Sequence, residues 1–163
     1  MDALDVRLVE LLSENPRVGV LELARLAGVA RATVSARLER LQSSGVITGY
    51  GPTIDLAAAG YPVQAIATLE VAQGRLEDVA SLLAEMPGVL EAVATTGTHD
   101  VVCRLAAASN EELQSVLLDL SRSDVIRRST SVVVLSVLIP PRTLPLLQQE
   151  RRPSPRRAPS FRG

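Results

Sequence analysis

The segment from Val20 to Ile47 constrains this chain most, because it predicts two short helices separated by a turn at Gly28. The second helix carries Val34, Leu38 and Leu41 at positions i, i+4 and i+7, which places three apolar side chains on one buried stripe. This pattern is typical of a helix-turn-helix that reads DNA. The alternative is a helix pair in an all-helical core whose exposed face is only solvated.

The residues before this segment favour the DNA-reading interpretation. A helix is predicted from Leu4 to Ser13, with Leu4, Leu8, Leu11 and Leu12 on one face. Three helices are what a helix-turn-helix needs to build a small core of its own.

The face opposite the apolar stripe of the second helix is polar or made of small side chains. In a major groove, hydroxyl groups would contact base edges, alanines would lie against thymine methyl groups and arginines would neutralise phosphates. The predicted DNA-binding residues are Arg31, Ala32, Thr33, Ser35, Ala36, Arg37 and Arg40.

The middle of the chain predicts a second domain of a different kind. Residues from Val63 alternate between apolar and polar, as in a half-buried strand, and Ser109 with Glu112 forms a capping box for a later helix. The predicted elements are a strand at 63–71, a helix at 76–86, strands at 89–95 and 101–106, a helix at 109–120 and a strand at 126–139. The order β-α-β-β-α-β predicts a ferredoxin-like antiparallel sheet covered by two helices on one side, and hence an α+β protein.

The run from Val132 to Ile139 is apolar on both faces of its predicted strand. Two helices cover only one face of such a sheet, and the chain has no spare element for the other. We therefore expect a homodimer through the sheets, with larger rings as a further possibility.

Charge is unevenly distributed although the formal net charge of the 163 residues is -1. Residues 1–50 have six arginines and six acids, residues 51–139 have five and eleven, and residues 140–163 have six arginines and one glutamate. Attraction to DNA phosphates must therefore come from local arginines. Because one copy has few of them, we expect a dimer that binds the two halves of a DNA site at once.

These patterns divide the chain into a helix-turn-helix domain at 1–50, a linker at 51–62, a ferredoxin-like effector-binding and oligomerisation domain at 63–139, and a basic tail at 140–163. The tail is rich in Pro and Arg and is expected to be largely disordered, with residues 144–147 as a piece that could dock on a neighbouring subunit. Its arginines either add sequence-independent attraction to phosphates or are simply solvated.

Several function classes are disfavoured by composition. No apolar run approaches the ~18 residues of a membrane helix and the N-terminus does not resemble a signal peptide, so we expect a cytoplasmic protein that does not bind membranes. With one His and the lone Cys103, the sequence predicts no metal site, no cofactor and no enzymatic activity.

Four segments together resemble the Lrp/AsnC family of transcriptional regulators, also called leucine-responsive or feast/famine regulators, over about residues 2–139. They are LDVRLVELLSENPRV, ELARLAGVA, TVSARLERLQSSGVITGY and TGTHDVV, in the order and spacing of that family. The resemblance implies a winged-type helix-turn-helix joined to a ferredoxin-like ligand-binding domain. It also implies dimers that often build octamers, and a response to amino acids.

The family's Gly-x-Tyr-Asp motif lines an effector pocket where dimers meet, and it reads Gly97, Thr98, His99 and Asp100 here. The effector-binding residues implied are Thr96, Gly97, Thr98, His99, Asp100, Arg128 and Thr130. A glycine turn exposes N–H groups that can hold a carboxylate, and an Asp can pair with an ammonium group. The alternative is that Gly97 only permits a tight turn and that Asp100 only caps it.

Three positions depart from the family pattern. His99 replaces the usual Tyr, Ala30 replaces the Ser that caps the recognition helix, and Arg128 replaces a Thr. An Arg beside the pocket would bind a carboxylate directly, although a solvated surface Arg is common.

The sequence thus predicts a sequence-specific DNA-binding transcriptional regulator whose DNA binding or assembly responds to a small effector, an amino acid. Its partners would be double-stranded DNA, further copies of itself and that effector. The alternatives are an amino-acid sensor that does not bind DNA and a nonspecific architectural DNA-binding protein.

Overall fold

The computed structural model describes residues 1–149 and divides into two compact units, Met1–Pro52 with the chain from Pro140, and Thr53–Ile139. The first unit contains α1 (Ala3–Glu14), α2 (Val20–Ala27), α3 (Arg31–Ser43) and α6 (Leu144–Leu147). The second contains β1 (Val63–Val71), α4 (Leu76–Ala84), β2 (Val89–Ala94), β3 (Val101–Ala107), α5 (Asn110–Arg122) and β4 (Ile126–Val133).

A three-helix bundle forms in the first unit, as the sequence predicts. Its buried core consists of Leu8, Leu11, Leu23, Ala24 and Val34, with Leu38 packed against it. Gly28 ends α2 in the left-handed region at φ 68°, a conformation that a residue with a Cβ adopts at a cost.

The chain after α3 forms turns and bends at residues 44–47, and no strand is assigned in this unit within residues 1–149. The backbone N–H groups of Val46 and Ile47 both donate to the carbonyl of Leu41, at 2.9 and 3.0 Å. These bonds fold the chain back against the end of α3.

The second unit is the predicted ferredoxin-like sheet, with strand order β2-β3-β1-β4 and every neighbouring pair antiparallel. Alternate β1 residues Ala65, Ala67 and Leu69 are completely buried under α4 and α5. Cys103, opposite Ala67 on β3, is buried too, and this burial raises the pKa of its thiol.

The capping box predicted for α5 forms only in part. The Ser109 hydroxyl accepts from the N–H of Glu112 at 3.2 Å, but the Glu112 carboxylate accepts from Ala108 at 2.7 Å rather than from Ser109. The helix start is nevertheless where the sequence predicts it.

The last strand is shorter than predicted, since it ends at Val133 instead of Ile139. It runs antiparallel to β1, and Val133 lies opposite Ala65, only two residues from the first residue of β1. One more bond, from the N–H of Val134 to the carbonyl of Gln64 at 2.8 Å, ends the pairing. Beyond it the chain has no strand to pair with, so an apolar run that reads as strand continues as irregular chain.

The sheet face opposite α4 and α5 carries exposed apolar side chains. Ile66 on β1 and its cross-strand partner Val132 on β4 are 39% and 61% exposed, and Val93 on β2 is 46% exposed. After β4, Leu135 and Leu138 are more than 90% exposed. Both features agree with the expectation that another surface covers this side.

A short part of the tail from Pro140, which the sequence predicts to be largely disordered, is helical. Residues 144–147 form α6, whose turn is closed by the N–H of Gln148 donating to the carbonyl of Leu144 at 3.0 Å. The rest of that prediction, residues 150–163, lies outside the described residues. Within residues 1–149, no helix is long and apolar enough to cross a membrane.

Candidate DNA-binding face and effector turn

The N-terminal half of α3 presents an exposed face of small and polar side chains. Val34 is buried in the bundle, and the residues around it that point outward are Arg31, Ala32, Thr33, Ser35 and Ala36. Ala30 occupies the N-cap position with extended backbone and supplies no side-chain hydrogen bond, as its replacement of a serine predicts. Because these side chains are exposed, this face of α3 can contact another molecule.

Arg37 and Arg40 differ from the other predicted DNA-binding residues, because both are bonded to acids at the start of α1. Arg40 donates to both carboxylate oxygens of Asp5, at 2.7 and 2.6 Å. Arg37 donates to Asp5 at 3.1 Å and also to Asp2. The sequence predicts both arginines as phosphate ligands, and in the structure both also join α3 to α1.

Asp2 and Asp5 form a capping box at the start of α1. The N–H of Asp5 donates to the Asp2 carboxylate at 3.0 Å, and the N–H of Asp2 donates to the Asp5 carboxylate at 2.8 Å. Asp5 is completely buried. We refer to Asp2, Asp5, Arg37 and Arg40 as the α1–α3 charge cluster.

The charge cluster shifts the acidities of its members. The hydrogen bond from Arg37, and then that from the Asp5 backbone, lower the pKa of Asp2 from 3.8 to about 2. Burial opposes ionisation of Asp5, but the Asp2 backbone bond and the Arg37 guanidinium together hold its pKa below its ordinary value. Asp2 in turn raises the pKa of Arg37. The carboxyl groups of Asp2 and Asp5 and the guanidinium of Arg37 are therefore charged at neutral pH.

Sequence reasoning missed Asp5, although a signal was present. Asp5 precedes Leu8 by three residues and Leu12 by seven, so it lies on the apolar stripe of α1. An acid at such a position has to find a basic partner, because an unpaired buried carboxylate is costly.

In the second unit, a turn joins β2 to β3 and contains most of the predicted effector residues. Gly97 adopts φ 119°, where a side chain would be strained. The N–H of Thr95 donates to the carbonyl of Asp100 at 2.8 Å, and the Thr95 hydroxyl donates to the carbonyl of His99 at 2.7 Å. Thr96, Gly97 and Thr98 are exposed at the tip.

Asp100 is already engaged by the end of β1. One carboxylate oxygen, Oδ2, accepts from the N–H of Val71 at 2.7 Å, and the N–H of Asp100 donates to the carbonyl of Leu69 at 2.9 Å. Asp100 therefore fixes the turn to the end of β1, and its other carboxylate oxygen, Oδ1, forms no hydrogen bond within the described residues. Thr95, Leu69 and Val71, which hold the turn, were not predicted.

His99 carries an unsatisfied group in this turn. Its Nδ1 atom is buried and has no hydrogen-bond partner among the described residues. A buried polar atom without a partner is unusual in a folded protein.

Arg128 and Thr130 lie on the uncovered face of β4, opposite Glu70 and Thr68 of β1. The Thr68 hydroxyl donates to the carbonyl of Thr130 at 3.4 Å. Arg128 is exposed and forms no ion pair within residues 1–149. Since Asp100 and Arg128 flank the same end of β1, the fold brings the turn and the last strand to one corner of the sheet. In the described part of the chain, no three His, Cys, Asp or Glu side chains cluster as metal ligands.

Comparison with known proteins finds a matching protein family for each of the two units. A model of the AsnC-type helix-turn-helix domain matches residues 1–42, and one of the Lrp/AsnC ligand binding domain matches residues 64–144. An uncharacterized HTH-type transcriptional regulator of Pyrococcus furiosus is 31% identical over 138 residues, which cover 84% of this chain and 93% of that protein. The chain belongs to the Lrp/AsnC family.

Solved structures of this family share the fold. AsnC of E. coli is 27% identical with a TM-score of 0.82, over 89% of this Lrp/AsnC chain and 99% of AsnC. A transcriptional regulator of Neisseria meningitidis, crystallised as an L-Met complex, is 22% identical with a TM-score of 0.79, over 85% of this chain and 92% of its own. The Lrp/AsnC chain is thus a transcriptional regulator with a helix-turn-helix and a ligand-binding domain, and its relatives are regulators rather than enzymes.

Proposed function

We propose that this protein is a cytoplasmic, sequence-specific DNA-binding regulator whose DNA binding or assembly is modulated by a free amino acid. The observation that carries the proposal is the exposed face of α3 around the buried Val34, made of small and hydroxyl side chains. Such a face lets the helix backbone approach base edges in a major groove closely.

Within this face, each residue type has a distinct role. Thr33 and Ser35 hydrogen-bond base edges, Ala32 and Ala36 contact thymine methyl groups, and Arg31 pairs with a phosphate. Arg37 and Arg40 retain N–H donors beyond those used by Asp2 and Asp5, because a guanidinium has five. Those donors supply further phosphate contacts.

Binding to the DNA upstream of its own coding sequence tests whether the protein recognises a DNA sequence through α3. Fluorescence anisotropy would compare the region upstream of the protein's own coding sequence with a shuffled duplex of equal composition, over a series of salt concentrations. We expect tighter binding to the native duplex that persists as salt rises. The double variant Thr33→Ala, Ser35→Ala should lose about tenfold of this preference, since it removes two hydrogen bonds to bases that contribute about 0.5–1.5 kcal/mol each.

Ser43→Ala provides the matched control, because Ser43 is exposed at the far end of the same helix and its hydroxyl donates only to the carbonyl of Arg40. Equal, salt-sensitive binding of the wild type to both duplexes would favour the architectural alternative. No binding to any duplex would favour the sensor alternative.

The effector site is proposed at the corner of the sheet formed by the turn and β4. The α-carboxylate would lie between Arg128 and the exposed N–H groups around Gly97, with Thr130 alongside. The ammonium group would lie against Oδ1 of Asp100, the carboxylate oxygen that Val71 does not use. The L-Met complex of the structural neighbour supports this class of ligand.

Thermal shift and calorimetry with each of the twenty amino acids test this site. The ligand that binds the wild type should bind Arg128→Gln at least tenfold more weakly, because a charged partner of its carboxylate is lost. Arg127→Gln is the control, as a neighbouring exposed arginine of the same strand. Equal affinity of the two variants would place the effector elsewhere.

The last part of the proposal concerns the assembly of several copies of this protein. The exposed apolar face around Ile66, Val93 and Val132 supports a dimer in which two sheets cover one another. An effector that binds two assemblies with different affinity would shift their populations and so change the spacing of paired recognition helices. Light scattering showing one unchanged oligomer with and without a bound effector would contradict this mechanism.

A further inference from the structure

Arg37 and Arg40 lie on the same side of α3 as part of the proposed DNA-binding face. Thr33, Arg37 and Arg40 are spaced i, i+4 and i+7, so their side chains leave the helix on one side. The side chain of Arg40 is 55% exposed and that of Arg37 is 28% exposed. A duplex bound against Thr33 would therefore bring its phosphates close to both guanidinium groups.

The charge cluster gives this side of α3 no net positive charge, because the carboxylates of Asp2 and Asp5 match its two arginines. The rest of the unit does not compensate, since residues 1–52 contain six arginines, no lysine and six acids. Sequence-independent attraction of arginines and lysines to phosphates supplies a large share of DNA affinity. The two acids therefore lower the affinity that α3 would otherwise have for a DNA backbone.

The two acids of the cluster differ in what they hold. Asp5 is completely buried and accepts from both arginines, so it is part of the bundle itself. The side chain of Asp2 is 52% exposed and Arg37 is the one arginine that donates to it within residues 1–149. An ion pair that is open to solvent contributes little to stability. The charge of Asp2 is therefore not explained by the folding of the unit.

The cap that Asp2 provides does not require a charge either. Asp2 is the N-cap residue of α1, and its carboxylate accepts from the N–H of Asp5 at 3.0 Å. Asn and Ser cap a helix about as well as Asp does. What a carboxylate adds at this position, beyond a modest interaction with the helix dipole, is its pairing with Arg37.

We propose that Asp2 sets the DNA affinity of this protein, because its carboxylate competes with a DNA phosphate for Arg37 and repels the DNA backbone beside α3. This inference rests on the proposed DNA-binding function. The effect does not depend on base sequence, since phosphates carry no sequence information. It keeps the affinity of one copy low, so that lasting binding needs two recognition helices on one stretch of DNA. DNA binding then depends on assembly.

The full-length variants Asp2→Asn and Asp2→Ser test the inference, because both keep a capping side chain and remove the charge. A unit charge about 7 Å from a phosphate in water changes affinity about threefold before screening by salt. At about 0.1 M salt, we expect both variants to bind the native and the shuffled duplex at least about twofold more tightly, by the same factor on each. The slope of log affinity against log salt should steepen by up to about 0.9, the contribution of one phosphate contact. A purely structural role of Asp2 would not produce this gain, since a destabilised domain binds DNA more weakly.

A double-mutant cycle tests whether Asp2 acts through Arg37. In an Arg37→Gln background, Asp2→Asn should raise affinity by a smaller factor than in the wild type, because the competition for Arg37 is gone and only the repulsion of phosphates remains. An equal gain in both backgrounds would overturn the inference.

Glu14→Gln is the matched control, because Glu14 is an exposed acid at the other end of α1. The helix separates the two acids by about 18 Å, and charges in salt water are screened over about 10 Å at 0.1 M salt. The affinity of this variant for both duplexes should therefore equal that of the wild type. A gain as large as that of Asp2→Asn would overturn the inference, since overall charge would then be the cause.

The outcomes separate this inference from the proposed function. If the wild type prefers the native duplex and the two Asp2 variants bind with unchanged or lower affinity, the inference is wrong and the proposed role of α3 stands. If the wild type shows no preference but both variants bind both duplexes more tightly, the inference stands and the sequence-specific function is wrong. If neither the wild type nor the variants bind any duplex, both are wrong.

Discussion

The two units of this protein position their candidate functional residues by different means. In the first unit those residues lie on a regular helix, α3, whose buried stripe fixes the direction of every exposed side chain. In the second unit they lie on the turn between β2 and β3 and on β4. The Leu69 carbonyl, which accepts from the Asp100 N–H, and the Val71 N–H, which donates to the Asp100 carboxylate, hold the turn in place. The comparison teaches that a helix face follows from periodicity, whereas a turn site depends on long-range backbone contacts.

The largest effect is expected at the charge cluster. Asp5→Ala removes a buried carboxylate that joins α1 to α3, leaves Arg40 without its acid partner and leaves Arg37 with Asp2 alone. Because the two arginines are partly exposed, we expect a loss of about 2–3 kcal/mol in the free energy of unfolding, below the range of a fully buried pair. Urea denaturation gives the magnitude, and hydrogen exchange should locate the loss in α1–α3 rather than in the sheet.

Glu39→Ala is the control for this prediction, since Glu39 is an exposed acid on α3 that forms no ion pair within residues 1–149. It should change stability by less than about 0.5 kcal/mol. Equal effects of the two substitutions would mean that the charge cluster does not hold the bundle together.

The features set by local periodicity could be predicted from the sequence, and those set by long-range contacts could not. Periods of 3.6 and 2 located every helix and strand up to β4, and the burial of Val34 and Ala67 agrees with them. The end of β4 was missed because an apolar run carries no information on whether a partner strand continues. The partners of Arg37 and Asp100 lie 32 and 29 residues away along the chain, where no local pattern reports them.

The turn glycine allows a second test of the comparison. Gly97→Ala places a side chain at φ 119° and should cost about 1–3 kcal/mol, with the loss confined to the sheet unit. Gly28→Ala in the first unit, at φ 68°, should cost about 1 kcal/mol because the left-handed region is less strained. Region-resolved hydrogen exchange shows which unit loses stability in each variant. A loss of the same size in both variants would contradict the prediction that Gly97→Ala costs more than Gly28→Ala.

Acid should affect the first unit through the charge cluster. The folded pKa values of Asp2, about 2, and of Asp5 lie below the unfolded value of 3.8, so the unfolded state binds more protons as pH falls. Their stabilisation is complete above about pH 4 and is lost as pH falls towards 2. Urea denaturation at pH 5 and pH 3 should show a drop that is reduced in the double variant Asp2→Asn, Asp5→Asn. An undiminished drop in that variant would assign the acid sensitivity to other carboxyl groups.

The smallest effect is a gain at the start of α3. Ala30 has the extended backbone of an N-cap but no side chain that can bond the free N–H groups of Ala32 or Thr33. Ala30→Ser supplies an acceptor and should stabilise the first unit by about 1 kcal/mol, measured as a shift in the urea midpoint with an unchanged slope. Ala36→Ser, on the exposed side of the same helix, adds the same hydroxyl where no free N–H is available and should not stabilise. If both serines raised stability equally, the gain would come from the hydroxyl group itself and not from capping of α3.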